Sequence, residues 1–358
     1  MSGLRNDGMK YTSEYINDLT KGQNSCPKLE TVAGSKILIT GATGLVCSAI
    51  VDFLLNYNDT HGAHVTVYIA ARSFEKAEKR FGQRMQRPDV VFVEYDALQS
   101  IAWDFNVDYV IHGASPANPA LYVSQPVETM LANILGLNNI LNYAKEHKTN
   151  RVLFVSSSEV YGKKESPEPY VENEYGFVDV LNPRACYPDA KRACETLCVS
   201  YSKEYKVETV IARLGHVYGP TATENDNRAS SYFLHAAASG NNIVMKSAGN
   251  QLRSYCYVVD CASAIITILL NGEDCNAYNV ANVNSDITIR QLAECIAQTG
   301  HVSLCFENPS DRELSSYNLM DNSCLNANKL EALGWKAMFD ANEGVDHSIG
   351  VIKELCKQ

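Results

Sequence analysis

The sequence predicts an α/β fold: a Rossmann-like doubly wound parallel sheet with a smaller, discontinuous α/β substrate-binding lobe. Three observations carry that expectation. Short apolar runs alternate with amphipathic stretches of helical length, a glycine-rich turn follows the first apolar run, and the alternation stops in two later segments rich in polar loops. The chain has 358 residues, 46% of them hydrophobic, enough for one large domain with an annex.

Residues 1–33 are polar and are expected to form a surface extension, with a short helix near 13–19. The fold proper begins at Lys36. Lys36-Ile37-Leu38-Ile39-Thr40 reads as a short apolar strand, and residues 45–55 carry apolar side chains at helical spacing directly after the glycines. Further strands are expected over 65–69, 90–93, 109–112, 152–156, 208–212 and 277–280, most of them separated by helical stretches. This rhythm assigns 34–220 and 255–283 to a dinucleotide-binding domain. Residues 221–254 and 284–358 break it and are expected to form the substrate-binding lobe over the C-terminal ends of the strands, where open α/β sheets bind ligands.

Composition excludes several classes. A net charge of −10, with acidic and basic residues interspersed, argues against nucleic acid as a partner. The twelve cysteines are scattered through apolar runs without a Cys-x-x-Cys pair, as buried thiols are in a reducing compartment. No metal site is expected. There is no run of about 18 apolar residues, and the polar start lacks the apolar centre of a signal peptide. A cytoplasmic protein with no membrane association is the expectation.

The turn Gly41-Ala42-Thr43-Gly44 opens the first helix. Gly41 permits a tight turn, and Gly44 lets a pyrophosphate approach the N–H groups of the helix that starts with Leu45 and Val46. Cys47 stands where such turns carry a third small residue and is expected to loosen helix–strand packing slightly. At the end of the second strand, where NAD-selective sites carry a carboxylate, this chain has Ala71 and then Arg72. A guanidinium there favours a 2′-phosphate, with Ser73 a second candidate contact, so the cofactor is read as NAD(P) with NADP slightly favoured. An arginine stacked on adenine or simply exposed is the alternative. Asp96, after the third strand, suits either the adenine amino group or a helix cap.

Tyr187 and Lys191 lie four residues apart and share one helix face. The lysine's charge favours the phenolate, which can then accept a hydroxyl proton near neutral pH while a hydride moves to nicotinamide. Ser157, at a predicted strand end, can complete the hydrogen bonds around that hydroxyl.

These residues carry a resemblance. Over Lys36 to Trp335 the chain resembles the extended short-chain dehydrogenase/reductases that act on nucleotide-diphosphate sugars, and among them it is most similar to the UDP-glucuronate decarboxylases. Ala114-Ser115-Pro116-Ala117-Asn118-Pro119, with Tyr122, Pro126, Thr129 and Asn133, is similar to that group's ASPASP stretch. Asn182-Pro183-Arg184-Ala185-Cys186-Tyr187 with Lys191-Arg192 resembles its GPRACY signature, and Ser157-Ser158-Glu159-Val160-Tyr161-Gly162 its TSEVYG motif. Gln251-x-Arg253, followed by Tyr257 and Asp260, resembles the diphosphate clamp region.

The resemblance implies roles. Ser157 orients the sugar hydroxyl, Tyr187 is the base for oxidation at sugar carbon 4, and Lys191 tunes it. Glu159 marks decarboxylases and 4,6-dehydratases, whereas simple epimerases have a small or uncharged residue there; a carboxylate solvated at the cleft rim is the alternative. Gly41, Thr43, Gly44, Leu45, Val46, Asp96, Ala97, Ala114 and Ser115 line a tightly bound, recycled NAD(P). Pro116, Tyr122, Ser158, His216, Arg228, Gln251 and Arg253 face a nucleotide-diphosphate sugar, UDP-glucuronate being the first expectation. Arg253 and Arg228 are expected on the diphosphate, although Arg228 reads equally as a surface arginine. His216 stands where the family has asparagine and reads equally as structural. A second departure is Asp321-Asn322-Ser323-Cys324 ahead of Leu333-Gly334-Trp335, where the decarboxylases are basic. A 4,6-dehydratase, a 4-epimerase, an NADPH-dependent reductase of a nucleotide-linked ketone, and a binding-only nucleotide-sugar or dinucleotide sensor are the other readings. A homodimer through a four-helix interface that includes the Tyr187 helix is expected by analogy.

Overall fold

A computed structural model describes residues 11–356, apart from 224, 225, 311–313, 315, 316 and 319; the expected extension at 1–10 lies outside the described residues. The central sheet has seven parallel strands: β1 (Lys36–Thr40), β2 (Thr66–Ala71), β3 (Val90–Glu94), β4 (Tyr109–His112), β5 (Arg151–Ser157), β6 (Thr209–Leu214) and β10 (Asn276–Val280). Their order across the sheet is β3-β2-β1-β4-β5-β6-β10, so the winding direction reverses between β1 and β4. A crevice opens at such a reversal, at the C-terminal strand ends. Every expected strand of this sheet is present, within two residues of its expected ends. These strands are buried on both faces, so they read as continuous apolar runs.

Helices α2 (Leu45–His61) and α8 (Val258–Asn271) cover one face. On the other, α5 (Pro126–His147) and α6 (Cys186–Tyr205) pack Leu137, Ile140, Leu141, Cys194 and Cys198 against Val110, Val152 and Phe154. The short α3 (Phe74–Phe81) and α4 (Pro119–Ser124) complete this half.

The smaller lobe has its own sheet, in which β9 (Leu252–Tyr257) pairs with β7 (His216–Tyr218), β11 (Asp286–Thr288) and β13 (Asn322–Ser323). A two-stranded ribbon joins β8 (Ile243–Met245) to β12 (Leu304–Phe306). Around them pack α7 (Ala229–Ala238), α9 (Ile289–Gly300) and the C-terminal Ala341–Cys356 helix, with the short Asn328–Glu331 helix nearby. The expected boundaries at 220 and 255 pass through this small sheet: β7 lies on one side of them and β9 is cut. Strands of three residues leave too short an apolar pattern to be told from a loop.

The amino-terminal segment differs from expectation. Residues 13–33 are not a surface extension. Helix α1 (Ser13–Gln23), capped by Thr12, buries Tyr15 and Leu19 completely. The Tyr15 hydroxyl donates to Asp52 of α2 at 3.1 Å, alongside Tyr11 at 2.7 Å, and Arg80 neutralises the same buried carboxylate. The i and i+4 pair Tyr15 and Leu19, on a helix that is mostly polar, supplies a narrow stripe that the composition masks.

Candidate active site

The glycine turn stands at the sheet's reversal. Gly41 has φ +67°, and a Cβ there would lie 2.8 Å from the Ala114 backbone, so only glycine allows the loops after β1 and β4 to meet. Gly44 is the N-cap of α2 and offers no side chain to the helix's first N–H groups, which leaves them for an anion. Leu45 is buried behind them; Thr43 and Val46 are half-buried at the rim. Cys47 does not loosen the packing: its Sγ fills the space beside Gly113, where a Cβ would come within 2.2 Å of it. The missing third glycine is matched by a glycine on the facing strand end. Ala114 N donates to Thr40 Oγ1 at 3.2 Å, and the buried Ser115 Oγ has no partner among the described residues. A cradle at a helix N-terminus beside an unpartnered hydroxyl fits a dinucleotide.

Arg72 is exposed just after β2 and makes no ion pair among the described residues. Ser73 is engaged instead as the N-cap of α3, accepting from Lys76 N at 3.3 Å. Asp96 is exposed and accepts from Leu98 N at 3.0 Å, a turn cap, while Ala97 packs on Gly136 of α5.

The reacting groups converge at the ends of β5 and α6. Tyr187, in the first turn of α6, is buried and stacks on Tyr122 of α4, with ring centroids 4.5 Å apart and planes 11° from parallel. The side chains of Ser157 and Tyr122 lie close enough to the Tyr187 hydroxyl to bias its ionisation. Burial first, and then the charge of Glu159, push its pKa up to about 12; Ser157, Tyr122 and Arg228 pull in the other direction. One turn further, Lys191 Nζ donates to Val155 O at 2.8 Å and stands 5.7 Å from the Tyr187 ring centroid. Burial lowers its pKa to about 8, which leaves it mostly cationic at neutral pH. Ser157 Oγ also caps the turn carrying Glu159, accepting from Glu159 N at 3.2 Å. Ser158 is buried beneath it.

Glu159 is not solvated at a rim. Arg184 grips it at two points, 2.9 and 3.1 Å, and lies over the Tyr122 ring at 4.7 Å. This partnership joins residues 25 apart in sequence, and the NPRACY motif was its only local sign.

The expected substrate residues fall into two groups. His216 and Arg253 sit on paired strands of the small lobe. Arg253 is buried, and among the described residues its guanidinium donates to the carbonyls of Leu252, Met320 and Asp321, at 2.9, 2.8 and 3.4 Å. Burial pulls its pKa down, and no carboxylate pairs with it among the described residues. Such a cation is costly unless an anion arrives. His216 Nδ1 is buried without a partner among the described residues, and burial plus the charges of Arg253 and Arg228 lower its pKa to about 3, so it is neutral. Arg228 is neither free for diphosphate nor a bare surface residue: Asp226 takes its guanidinium with both oxygens. Pro116 is half-buried on the loop leading to α4. Gln251 lines a different cleft, of about 680 Å³, with Lys246, Phe306 and Tyr317, and none of the reacting groups borders it. Tyr257 and Asp260 turn to structural partners, Tyr257 donating to Asp18 and Asp260 accepting from Met338 and Phe339 N–H groups.

Residues 37–281 match the NAD dependent epimerase/dehydratase family. The chain belongs to this family. It is 30% identical over 314 residues to UDP-glucuronic acid decarboxylase 3 of Arabidopsis thaliana, covering 87% of this chain and 86% of the relative. With UDP-glucuronic acid decarboxylase 1 of Xenopus tropicalis it shares 29% over 317 residues, 88% of this chain and 71% of the relative. Among solved structures, the dTDP-glucose 4,6-dehydratase of Streptomyces venezuelae with NAD bound superposes with a TM-score of 0.76 at 20% identity, over 89% of this chain and 97% of the other. The family's doubly wound fold is thus the fold of this chain. No described helix is long and apolar enough to cross a membrane.

Proposed function

We propose that the protein is an NAD-dependent nucleotide-sugar enzyme that oxidises sugar carbon 4, with UDP-glucuronate as substrate and decarboxylation as outcome. The observation that carries this reading is the buried Tyr187 stacked on Tyr122 at the end of β5, with the buried Lys191 one turn behind it and Glu159 held by Arg184 alongside. A binding site alone would not need a buried phenol beside a buried ammonium. The names of the relatives support the substrate.

NAD, held at the glycine turn, supplies the hydride acceptor and donor. Tyr187 takes the proton of the carbon 4 hydroxyl, and Ser157 orients that hydroxyl by a hydrogen bond. Lys191 favours the phenolate by its charge. In a glucuronate the new carbonyl at carbon 4 makes a β-keto acid, whose C–C bond to the carboxylate breaks with the electron pair delocalised into that carbonyl. Carbon dioxide leaves, and carbon 5 takes up a proton. Tyr187 then returns its proton to the carbon 4 oxygen. Arg253, whose charge lacks a carboxylate partner, suits the diphosphate, and the neutral His216 can hydrogen-bond it.

A dehydratase or epimerase is the second reading. Asp321 occupies the stretch where the decarboxylases are basic; it is exposed and pairs only loosely with Lys163 at 3.6 Å. Arg72, exposed and unpaired, tilts the cofactor site from NAD toward NADP. We further place the dinucleotide in the seven-stranded half and the sugar nucleotide against the small lobe, residues 221–254 and 284–358 together with β7 and β9. Eleven described cysteines are unpaired, which suits a reducing cytosol.

Mass spectrometry of purified protein given UDP-glucuronate tests the outcome. Loss of about 44 mass units without net cofactor consumption is expected, whereas about 18 lost from a nucleotide hexose means dehydration and about 2 gained means reduction. Conversion of another nucleotide sugar with UDP-glucuronate left intact rejects the decarboxylase and keeps the class.

A further inference from the structure

The ion pair between Arg184 and Glu159 has a geometry that a simple stabilising pair would not need. Arg184 precedes Tyr187 by three residues, just before α6, and its side chain is nearly buried. Each terminal nitrogen donates to a different Glu159 oxygen, at 2.9 and 3.1 Å. The guanidinium carbon lies 4.7 Å from the Tyr122 ring centre, and the Tyr122 ring lies 4.5 Å from and almost parallel to that of Tyr187. The guanidinium that holds the carboxylate thus also lies over the ring that stacks on Tyr187. Two-point guanidinium–carboxylate pairs fix orientation as well as charge.

We propose that Arg184 is a positioning residue for Tyr187: it neutralises Glu159 in a fixed pose and, through the Tyr122 ring, holds the Tyr187 phenol where Ser157 meets it. The proposal rests on the assignment of Tyr187 as proton acceptor made above. The groups that face Tyr187 come from every neighbouring element: Glu159 and Ser157 from the end of β5 and its turn, Tyr122 from α4, Arg228 from the start of α7, and Cys186 and Lys191 from α6 itself. Of these, Glu159 is the one that opposes ionisation by its charge, and Arg184 is the cation in contact with it. Without Arg184 the same carboxylate would stand beside the phenol unbalanced. The Tyr122 ring would also lose the face that keeps it parallel to Tyr187.

The test reads the tyrosine itself. Protein carrying 13C at the tyrosine ζ carbon, with NAD bound, is titrated by NMR from pH 8 up to the highest pH at which its far-UV circular dichroism stays native, the Tyr187 signal being identified by its absence in Tyr187→Phe. In Arg184→Gln the Tyr187 ionisation should move up by about one pH unit, the scale of one close charge in a partly screened site, which is about tenfold less phenolate at neutral pH. Adding Glu159→Gln to that variant should bring it back down. Arg184→Lys, which keeps the charge and loses the two-point grip, should titrate near wild type but with a broadened or displaced Tyr122 ring signal; it also guards against a variant that does not fold. A folded Arg184→Gln or Arg184→Lys protein in which Tyr187 ionisation and the Tyr122 signal both match wild type overturns the proposal. No turnover enters the measurement, so a protein that leaves UDP-glucuronate intact still decides this question, and failure here leaves the reaction assignment standing.

Discussion

Tyr187 and Arg72 are the two residues whose replacement separates chemistry from cofactor binding. Tyr187→Phe removes the proton acceptor and preserves the ring that stacks on Tyr122, so turnover should vanish while dinucleotide affinity stays within a few-fold of wild type. Activity near the wild-type level would withdraw Tyr187 from the reaction. Arg72→Ala, measured by calorimetry on protein stripped of cofactor, should weaken NADP more than NAD by roughly 1–3 kcal/mol, the range for a charge-assisted contact. Equal losses would mean that Arg72 does not read a 2′-phosphate. Legibility at this scale follows locality. Gly41, Ser157, Tyr187 and Lys191 announce themselves because their spacing is set within one turn, strand end or helix face. The Glu159–Arg184 grip, between residues 25 apart, is visible only once loops have folded back, whereas the Asp226–Arg228 pair is local and takes away a guanidinium that the sequence offered to the substrate.

At the scale of elements, the seven strands of the parallel sheet were readable because each is a short apolar run buried on both faces. Helix α1 was readable as a helix and misjudged in its burial. Its polar residues outnumber the two that matter, and what draws it inward is Asp52, a fully buried carboxylate 37 positions beyond Tyr15. A carboxylate without water needs partners, and Tyr11 and Tyr15 of the amino-terminal segment and Arg80 of α3 supply them. Tyr15→Ala should therefore cost about 3–5 kcal/mol in chemical denaturation, the range for removing a large buried aromatic side chain. Tyr15→Phe should cost only about 1 kcal/mol, because Tyr11 and Arg80 still satisfy the carboxylate. A small loss for both variants would mean that α1 does not contribute to the fold's stability.

For the molecule as a whole, we propose that the exposed apolar surface of α5 meets a second copy of the chain. Val127, Met130, Leu131 and Leu135 follow helical spacing, and all four are exposed, Val127 to 62%. Val123 of α4 extends the stripe, and Leu181, 91% exposed, precedes the turn that packs against α4. Contiguous apolar surface of this kind is unusual on a monomer. Because α5 packs along α6, two copies meeting through α5 and α6 would bring four helices together about a twofold axis, each residue of the stripe meeting its counterpart's neighbourhood. Charge placed on such an axis is doubled and set against itself. Leu131→Glu should therefore convert a dimer of twice the chain mass into monomer in sedimentation equilibrium, while leaving the far-UV circular dichroism unchanged. Turnover should fall with it, because α6 carries Tyr187 and Lys191 and would lose the packing that steadies their helix. A wild-type protein that sediments as a monomer at micromolar concentration would remove the dimer, and the apolar stripe would then need another partner.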